Sequence, residues 1–390
     1  GDVYKRQVSH LRFSPDPIAS AYLVQEAGFV ACHHADFLER LAILDVADDG
    51  ATFLLNTPAG PTEVWDTLPA EVQRTIIEKN LEFWVVDGGR VARDAGLAGR
   101  INTVLQTCFF YLAGVLPPDE AVAAIKEAIA KSYAKRGQAV LDRNFAAVDQ
   151  AVAGLARVEV PDTATSHRTM QAAVSDAAPD FVQRVTAMMM RQEGDLLPVS
   201  ALPVDGTFPP ATAQWEKRSI ADEIPIWDPE ICIDCGRCTL VCPHAAIRMK
   251  VLEPDAVANA PEGFRHKEWK GDRHNPDEQR LIIQVAPDDC TGCGVCVSIC
   301  PAKSKEEVKH KAINMEAKDP YLDLERRNFD HFLDLPVADR TSLDLASIKG
   351  SQQAEPLFEF SGACSGCGET PYLKLLTQQF GDRITVANAT

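Results

Sequence analysis

The sequence predicts a multidomain α/β protein, in which a cysteine-rich region follows a parallel-sheet α/β domain and an extended connector. Three observations lead to this fold class. Short apolar runs alternate with helical patterns in residues 8–160, prolines are frequent in residues 161–211, and ten of the twelve cysteines lie between Cys232 and Cys367. Alternating strands and helices predict a parallel sheet with helices on its faces. The proline content predicts an extended connector.

Composition and charge narrow the class of protein. The chain of 390 residues is 46% hydrophobic, which is enough for two or three domains with a sizeable core. Its formal charge of -17 disfavours nucleic acid or an anionic membrane as the main partner. There is no apolar run that could span a bilayer, and the amino terminus does not resemble a signal peptide. We therefore expect a cytoplasmic protein with small soluble partners.

The individual elements of residues 8–160 follow from their apolar patterns. Helices are predicted where the apolar period is near 3.6, and Pro118 and Asp119 stand where a helix start needs them. The predicted strands are residues 22–33, 50–57 and 81–87, and the predicted helices are residues 34–47, 69–80, 101–115, 118–137 and 138–155.

Two copies of one cysteine motif dominate the second half of the chain. The runs "CIDCGRCTLVCP" and "CTGCGVCVSICP" share the spacing C-x-x-C-x-x-C-x-x-x-C-P. In such a run the first three cysteines wrap one [4Fe–4S] cluster, and the fourth reaches the other cluster. The motif therefore predicts a ferredoxin-like α+β domain with two four-cysteine ligand sets, which are Cys232, Cys235, Cys238 and Cys300 for one cluster and Cys242, Cys290, Cys293 and Cys296 for the second.

Zinc is the alternative metal, because C-x-x-C pairs also suit tetrahedral zinc sites. Zinc sites rarely place four cysteines within eleven residues and do not need a crossed fourth ligand, so the spacing favours iron–sulfur clusters. Three glycines support this, since a backbone wound tightly around a cluster needs positive φ. We expect that conformation at Gly236, Gly292 and Gly294.

Two features remain outside the duplicated motif. The 47 residues between Cys242 and Cys290 are charged and rich in turn formers, which predicts a surface elaboration. The later pair Cys364 and Cys367 has C-x-x-C spacing, yet no further cysteine follows it in this sequence. By itself the pair is half of a metal site or an incidental pair.

Three long motifs resemble the pyruvate:ferredoxin (flavodoxin) oxidoreductase family. They are "AQWEKRSIADEIPIWDPEICIDCGRC" with the second cysteine run, "SGACSGCGETPYLKLLTQQFGDR", and "GGRVARDAGLAGRINTVLQTCFFYLAGVLP" further upstream. The resemblance extends from Val8 to Thr390. It implies that the chain is an internal portion of a large multidomain enzyme.

The resemblance also implies domains and binding residues. Residues 8–160 correspond to a coenzyme A-binding α/β domain incomplete at its start, 161–211 to a connector, 212–340 to the ferredoxin-like domain, and 341–390 to the beginning of a thiamine diphosphate domain. The residues that it implicates are Asn102 and Asn144 for coenzyme A, Glu369 for thiamine diphosphate with Mg²⁺, and Cys364 and Cys367 for a third, proximal [4Fe–4S] cluster whose other ligands lie outside this sequence.

The expected function follows from the resemblance, and it leaves two alternatives open. The family implies oxidative decarboxylation of pyruvate with coenzyme A as acyl acceptor, electron transfer through the clusters to ferredoxin or flavodoxin, and a homodimeric enzyme. A stand-alone polyferredoxin is one alternative, although it leaves "CSGCGET" and the large α/β region without a role. A related oxidoreductase with another 2-oxoacid is the second. The sequence assigns no catalytic residue.

Overall fold

A computed structural model describes residues 8–19, 23–97, 100–270 and 278–385. The described residues divide into two compact units. One takes Val8–Ser175 and Arg184–Leu197, and the other takes Asp176–Gln183 and the described part of Pro198–Thr390. Within the described stretches, no helix has the length and apolar character needed to cross a membrane.

The first unit contains a four-stranded sheet in sequence order. The first three strands are parallel, and the short fourth strand is antiparallel to the third. This confirms the prediction of an α/β fold with a parallel sheet and adds an antiparallel edge strand that was not expected. The strands are β1 (Ala27–Cys32), β2 (Ala47–Asn56), β3 (Glu82–Val86) and β4 (Ala156–Arg157).

Helices cover both faces of this sheet. Side chains alternate along a strand, so Phe53 and Leu55 of β2 belong to one core cluster and Leu54 to another. Both faces are apolar because both are buried, as expected for parallel strands. The helices of this unit are α1 (Val64–Thr67), α2 (Ala70–Glu78), α3 (Gly88–Asp94), α4 (Asn102–Leu112), α5 (Pro118–Tyr133), α6 (Gln138–Gly154) and α7 (Ala187–Met190).

The helix predicted over residues 34–47 is wrong. Two short 3₁₀ helices, Ala35–Glu39 and Ile43–Val46, take its place. Lys79 explains why no α-helix forms over Ile43–Val46. Its Nζ donates to the carbonyls of Leu44, Asp45 and Ala47 at 3.1, 2.7 and 2.7 Å. An α-helix continuing through this point would use such carbonyls internally.

The first part of the connector is hydrogen-bonded to α2 within the first unit, at Gln73 and also at Glu71 and Ala70. The Gln73 side-chain oxygen accepts hydrogen bonds from the backbone amides of Thr165 and Ser166 at 2.8 and 2.9 Å. The Gln73 amide nitrogen donates to the carbonyl of Trp65 at 2.6 Å. Gln73 is fully buried, so its three bonds fix this part of the connector to the start of α2.

The second unit is built from two similar halves. Each half runs strand, cysteine loop, short helix, strand: β5 (Glu223–Trp227), α8 (Arg237–Val241) and β6 (Ile247–Leu252), then β8 (Arg280–Val285), α9 (Val295–Ile299) and β9 (Ile313–Ala317). The outer strands β5 and β9 pair antiparallel, as do the inner strands β6 and β8. The remaining elements are β7 (Lys267–Glu268), α10 (Leu322–Asp334), α11 (Ile348–Ser351) and α12 (Thr370–Phe380).

The segment between the two halves is not only a surface elaboration. Strand β7 pairs with β8, and Phe264 and Trp269 are buried in the core of the second unit. Part of the charged insert therefore contributes to the fold. Residues 271–277 of the insert lie outside the described stretches.

Candidate functional site

The two cysteine loops have the same backbone course. Helix α8 follows Gly236 with φ of 65°, and α9 follows Gly294 with φ of 69°. Two residues earlier in each loop, Asp234 and Gly292 have φ of 61° and 66°. The positive φ predicted for the three glycines is confirmed. Asp234 was missed, since aspartate enters this region less readily than glycine.

Each loop also aims a backbone amide at its first sulfur. The amide of Asp234 donates to Sγ of Cys232 at 3.5 Å, and the amide of Gly292 donates to Sγ of Cys290 at 3.4 Å. Amide donors stabilise negative charge on sulfur.

The structure gathers the eight thiols into two groups of four. Burial raises the pKa of Cys238, and negative charge on Cys232, Cys235 and Cys300 raises it further. Cys300, the fourth cysteine of the second run, is therefore close enough to Cys238 for its charge to act there.

The second group mirrors the first. Burial raises the pKa of Cys296, and negative charge on Cys242, Cys290 and Cys293 raises it further, with a contribution from Cys238. Burial also raises the pKa of Cys290 to about 12. Cys242, the fourth cysteine of the first run, is therefore close enough to Cys296 for its charge to act there.

Buried thiols in such groups suit a cationic iron–sulfur core. Four neighbouring thiolates repel one another in a low-dielectric site, so they ionise together only when a cation binds them. In the described part of the chain, no group of three or more His, Cys, Asp or Glu side chains is arranged to hold a single metal ion. A [4Fe–4S] cluster takes four thiolates, which each group supplies.

Asp234 links the first loop to the insert. Its carboxylate is 1% exposed and accepts hydrogen bonds from Lys267 Nζ at 2.9 Å and from the Lys270 amide at 2.7 Å. Lys267 Nζ also donates to the carbonyl of Cys232 at 2.6 Å. The insert thus holds the first cysteine loop in place. The one signal in the sequence is that Asp234 aligns with Gly292 when the two runs are superposed.

His244 is a packing residue beside the first cysteine run. It is buried, its Nδ1 lies 3.1 Å from the carbonyl oxygen of Ser361, and its own carbonyl accepts from the Phe360 amide at 2.8 Å. Burial and the nearby charge of Arg218 lower the pKa of His244 to about 4. The turn after Cys242 is therefore tied to the segment that leads to the third cysteine pair.

The third cysteine pair lies against the second loop. A Cβ placed on Gly366 would be 3.7 Å from Cβ of Cys293, and Ser365 Oγ lies 3.3 Å from the carbonyl oxygen of Thr291. Cys364 is exposed and Cys367 is partly exposed. Hydrogen bonds from Thr370 and from the amide of Glu369 lower the pKa of Cys367. The pair therefore adjoins the group that contains Cys290, Cys293 and Cys296.

Helix α12 begins directly after this pair and returns to the first loop. Glu369 precedes its first residue, is exposed and makes no side-chain capping bond. Lys374 is 2% exposed, and its Nζ donates to carbonyls around the end of α8. Burial lowers the pKa of Lys374 to about 8, while negative charge on Cys242 and Cys238 acts in the opposite direction.

Family models cover most of the chain. Residues 5–154 match the model described as pyruvate ferredoxin/flavodoxin oxidoreductase, residues 167–221 match a domain of unknown function, and residues 231–304 match the 4Fe-4S dicluster domain. The dicluster match includes both duplicated runs and ends before Cys364 and Cys367.

Curated relatives align with nearly the whole chain. A pyruvate-flavodoxin oxidoreductase of Nostoc is 52% identical over 98% of the chain, and one of Rhodospirillum rubrum is 50% identical over 98%. A pyruvate:ferredoxin oxidoreductase of Moorella thermoacetica is 44% identical over 98%. The chain belongs to the pyruvate:ferredoxin (flavodoxin) oxidoreductase family. It spans about a third of the length of these relatives, 32% in each case.

Within this oxidoreductase family member, the two candidate coenzyme A residues have different surroundings. Asn102 is exposed at the first position of α4. Asn144 is buried in α6, donates to the Val140 carbonyl at 2.8 Å and accepts from the Thr103 hydroxyl at 3.4 Å. The structure thus brings Asn144 against the residue that follows Asn102, and it uses the Asn144 amide to tie α4 to α6.

The two equivalent glycines offer a matched test of loop packing in this oxidoreductase. A Cβ on Gly236 would lie 3.3 Å from Sδ of Met249 and 3.4 Å from Cγ2 of Ile348, whereas a Cβ on Gly294 would have nothing within 4 Å. Both substitutions force a side chain into positive φ, at about 1–2 kcal/mol. We expect Gly236→Ala to destabilise the cluster-loaded chain by about 1 kcal/mol more than Gly294→Ala.

The measurement is anaerobic denaturant unfolding of both variants, with iron content as the control for cluster loading. Equal destabilisation by the two substitutions would contradict the packing of Ile348 against the first loop.

Proposed function

We propose that this chain is the coenzyme A-binding and electron-transfer portion of an enzyme that converts pyruvate and coenzyme A to acetyl-CoA and carbon dioxide. Electrons would leave through [4Fe–4S] clusters to ferredoxin or flavodoxin. The observation that carries the proposal is that thiols of both runs lie near one another, Cys300 near Cys238 and Cys242 near Cys296, with four of the eight buried and a third cysteine pair adjoining the second loop. The proposed activity is that of a whole enzyme. The chain spans 32% of the length of its Nostoc relative.

In this proposal the cysteine groups are ligand sets. Cys232, Cys235, Cys238 and Cys300 hold one cluster, and Cys242, Cys290, Cys293 and Cys296 hold the second. The sets are supported by the mutual effects of their thiolates on the pKa of Cys238 and of Cys296. Cys364 and Cys367 contribute two ligands to a third, proximal cluster.

The contacts of the third pair give electron transfer a direction. Gly366 and Ser365 lie against the loop of Cys290 and Cys293, so an electron from the third site enters the second group first. The first group is next in line. Ile233, which follows Cys232, is 58% exposed, so we place the exit to a soluble carrier at the first loop.

The carbon chemistry would be located at the third pair. Thiamine diphosphate with Mg²⁺ supplies a carbanion that adds to the keto carbon of a 2-oxoacid. Glu369 of this chain would accept a hydrogen bond from that cofactor, and its exposed carboxylate without a capping bond leaves it available. In residues 341–390 we place the beginning of the thiamine diphosphate domain.

Coenzyme A is assigned to residues 8–160, which match the oxidoreductase model. Asn102 would contact it directly, because its side chain is exposed at the start of α4. Asn144 is buried, so its contribution would include the position of α4. We further propose a cytoplasmic homodimer, for which the family resemblance is the support.

Cysteine substitutions test the crossed ligand sets. Cys242→Ala removes a ligand from the cluster of Cys290, Cys293 and Cys296, although Cys242 belongs to the first run. We expect selective loss of the second cluster. Electron paramagnetic resonance of the reduced chain would measure this loss. The mirror variant Cys300→Ala should damage the first cluster instead. If each variant damaged the cluster of its own run, the crossing would be disproved.

Iron content tests the division between complete and incomplete sites. The 390-residue chain expressed anaerobically should bind about eight irons, since each four-cysteine set holds four. Two thiolates at Cys364 and Cys367 leave iron exposed to solvent, so this site should stay empty in the chain alone.

The same preparation should not reduce viologen when given pyruvate, coenzyme A, thiamine diphosphate and Mg²⁺. The full-length enzyme prepared alongside is the positive control. Sustained pyruvate-dependent reduction by the 390-residue chain would show that the catalytic site lies elsewhere than proposed.

A pair of amide substitutions tests the coenzyme A assignment in the full-length enzyme. Asn102→Ala should raise the apparent KM for coenzyme A about threefold to tenfold, as for one lost hydrogen bond, and leave the KM for pyruvate unchanged. Its stability should be unchanged because the side chain is exposed.

Asn144→Ala is the contrasting variant. It should lower the free energy of unfolding by about 1–2 kcal/mol, because a buried amide that ties two helices is lost. An unchanged KM for coenzyme A in Asn102→Ala would contradict the proposed contact of Asn102 with coenzyme A. The assignment of the α/β fold would not be affected.

A further inference from the structure

The equivalent helices α8 and α9 are each capped at the carboxyl end by a lysine side chain. The two lysines come from different parts of the chain. In α9, the carbonyls of Val297 and Ser298 lie 2.6 and 3.4 Å from Nζ of Lys311. In α8, the equivalent carbonyls of Thr239 and Leu240 accept from Nζ of Lys374, the latter at 3.0 Å. Each helix therefore receives one ammonium group at its carboxyl end.

These two lysines are not part of the duplication. Lys311 lies two residues before β9 and is partly exposed. Lys374 lies within α12, seven positions after Cys367, and is 2% exposed. The segment that carries the third cysteine pair thus supplies the cap for the first cysteine loop.

Hydrogen-bond counting indicates that Lys374 is charged. Its Nζ donates to three carbonyls, those of Thr239, Leu240 and Cys242, the last at 3.3 Å. An ammonium has three N–H donors, one for each acceptor. Carbonyls at the end of a helix carry partial negative charge and favour a cation there.

The contacts of Lys374 place it beside both cysteine groups. The carbonyls that Lys374 contacts all lie in the segment from Thr239 to Cys242, at the end of α8. This segment follows Cys238 of the first group and ends at Cys242 of the second. Lys374 therefore contacts the backbone that joins a ligand of each proposed cluster.

We propose that Lys374 and Lys311 are positioning residues that raise the reduction potentials of the two clusters, and that Lys374 has the larger effect and acts on both. The inference rests on the proposed function, since it requires clusters at the two cysteine groups. A cluster gains one negative charge when it is reduced, so a nearby cation stabilises the reduced form. Burial keeps the charge of Lys374 from being screened by water and salt, whereas Lys311 is partly exposed.

The position of Lys374 adds a second consequence. Its helix begins three residues after Cys367, so any displacement of the third pair along α12 would move the ammonium relative to both groups.

The test is potentiometric titration of both clusters by electron paramagnetic resonance, on the full 390-residue chain loaded anaerobically. Lys374→Gln keeps a hydrogen-bond donor and removes the charge, so both midpoint potentials should shift to more negative values. Lys374→Arg retains the charge and should restore values near those of the wild type. A merely structural role would not separate these two variants.

Lys311→Gln is the comparison at the equivalent position of the other helix, where the lysine is partly exposed. It should produce a smaller negative shift, and added salt should diminish that shift more than the shift in Lys374→Gln. Loss of both clusters from the wild-type chain would overturn the proposed function itself. Intact clusters with unchanged potentials in Lys374→Gln would overturn the present inference alone.

If Lys374→Gln does not assemble clusters, Lys311→Gln decides the matter. Its lysine is partly exposed, so the fold should tolerate the change. Unchanged potentials in Lys311→Gln would then refute the effect of the paired caps, and a negative shift would support it.

Discussion

Mutual repulsion among buried thiolates is the constraint on which the second unit depends. Four thiols in a low-dielectric site cannot all ionise unless a cation compensates their charge. The fold places two such groups next to each other, with Cys238 of the first close enough to influence Cys296 of the second. The outer strands β5 and β9 pair with each other, as do the inner strands β6 and β8, so both cysteine loops belong to one small fold.

Other parts of the unit hold this arrangement from three sides. The insert supplies Lys267, which bonds Asp234 and the carbonyl of Cys232. The turn after Cys242 is tied to Phe360 and Ser361 through His244. The segment after the third pair supplies Lys374. Much of the polar hydrogen bonding around the loops therefore comes from residues distant in sequence, and this explains why a minimal duplicated motif carries such long additions.

The sequence predicts the parts of this site that depend on local spacing. The cysteine motif by itself predicts the crossing, and the glycines predict the left-handed turns at Gly236, Gly292 and Gly294. Asp234, Lys267, Lys311 and Lys374 were missed because their roles arise from tertiary contacts, and a buried lysine has no local pattern. The 3₁₀ segments over residues 35–46 were missed for a related reason, since a side chain from α2's end, Lys79, takes carbonyls that a helix would use.

The crossed arrangement also bears on how the protein matures. During synthesis the first run emerges before the second, yet neither group contains four thiols until most of the second run has been made, up to Cys296 for the second group and Cys300 for the first. Pairing of β5 with β9 is likewise a long-range contact, and such contacts form slowly. The nascent chain therefore passes through an interval in which its thiols are reduced, unliganded and open to oxidation.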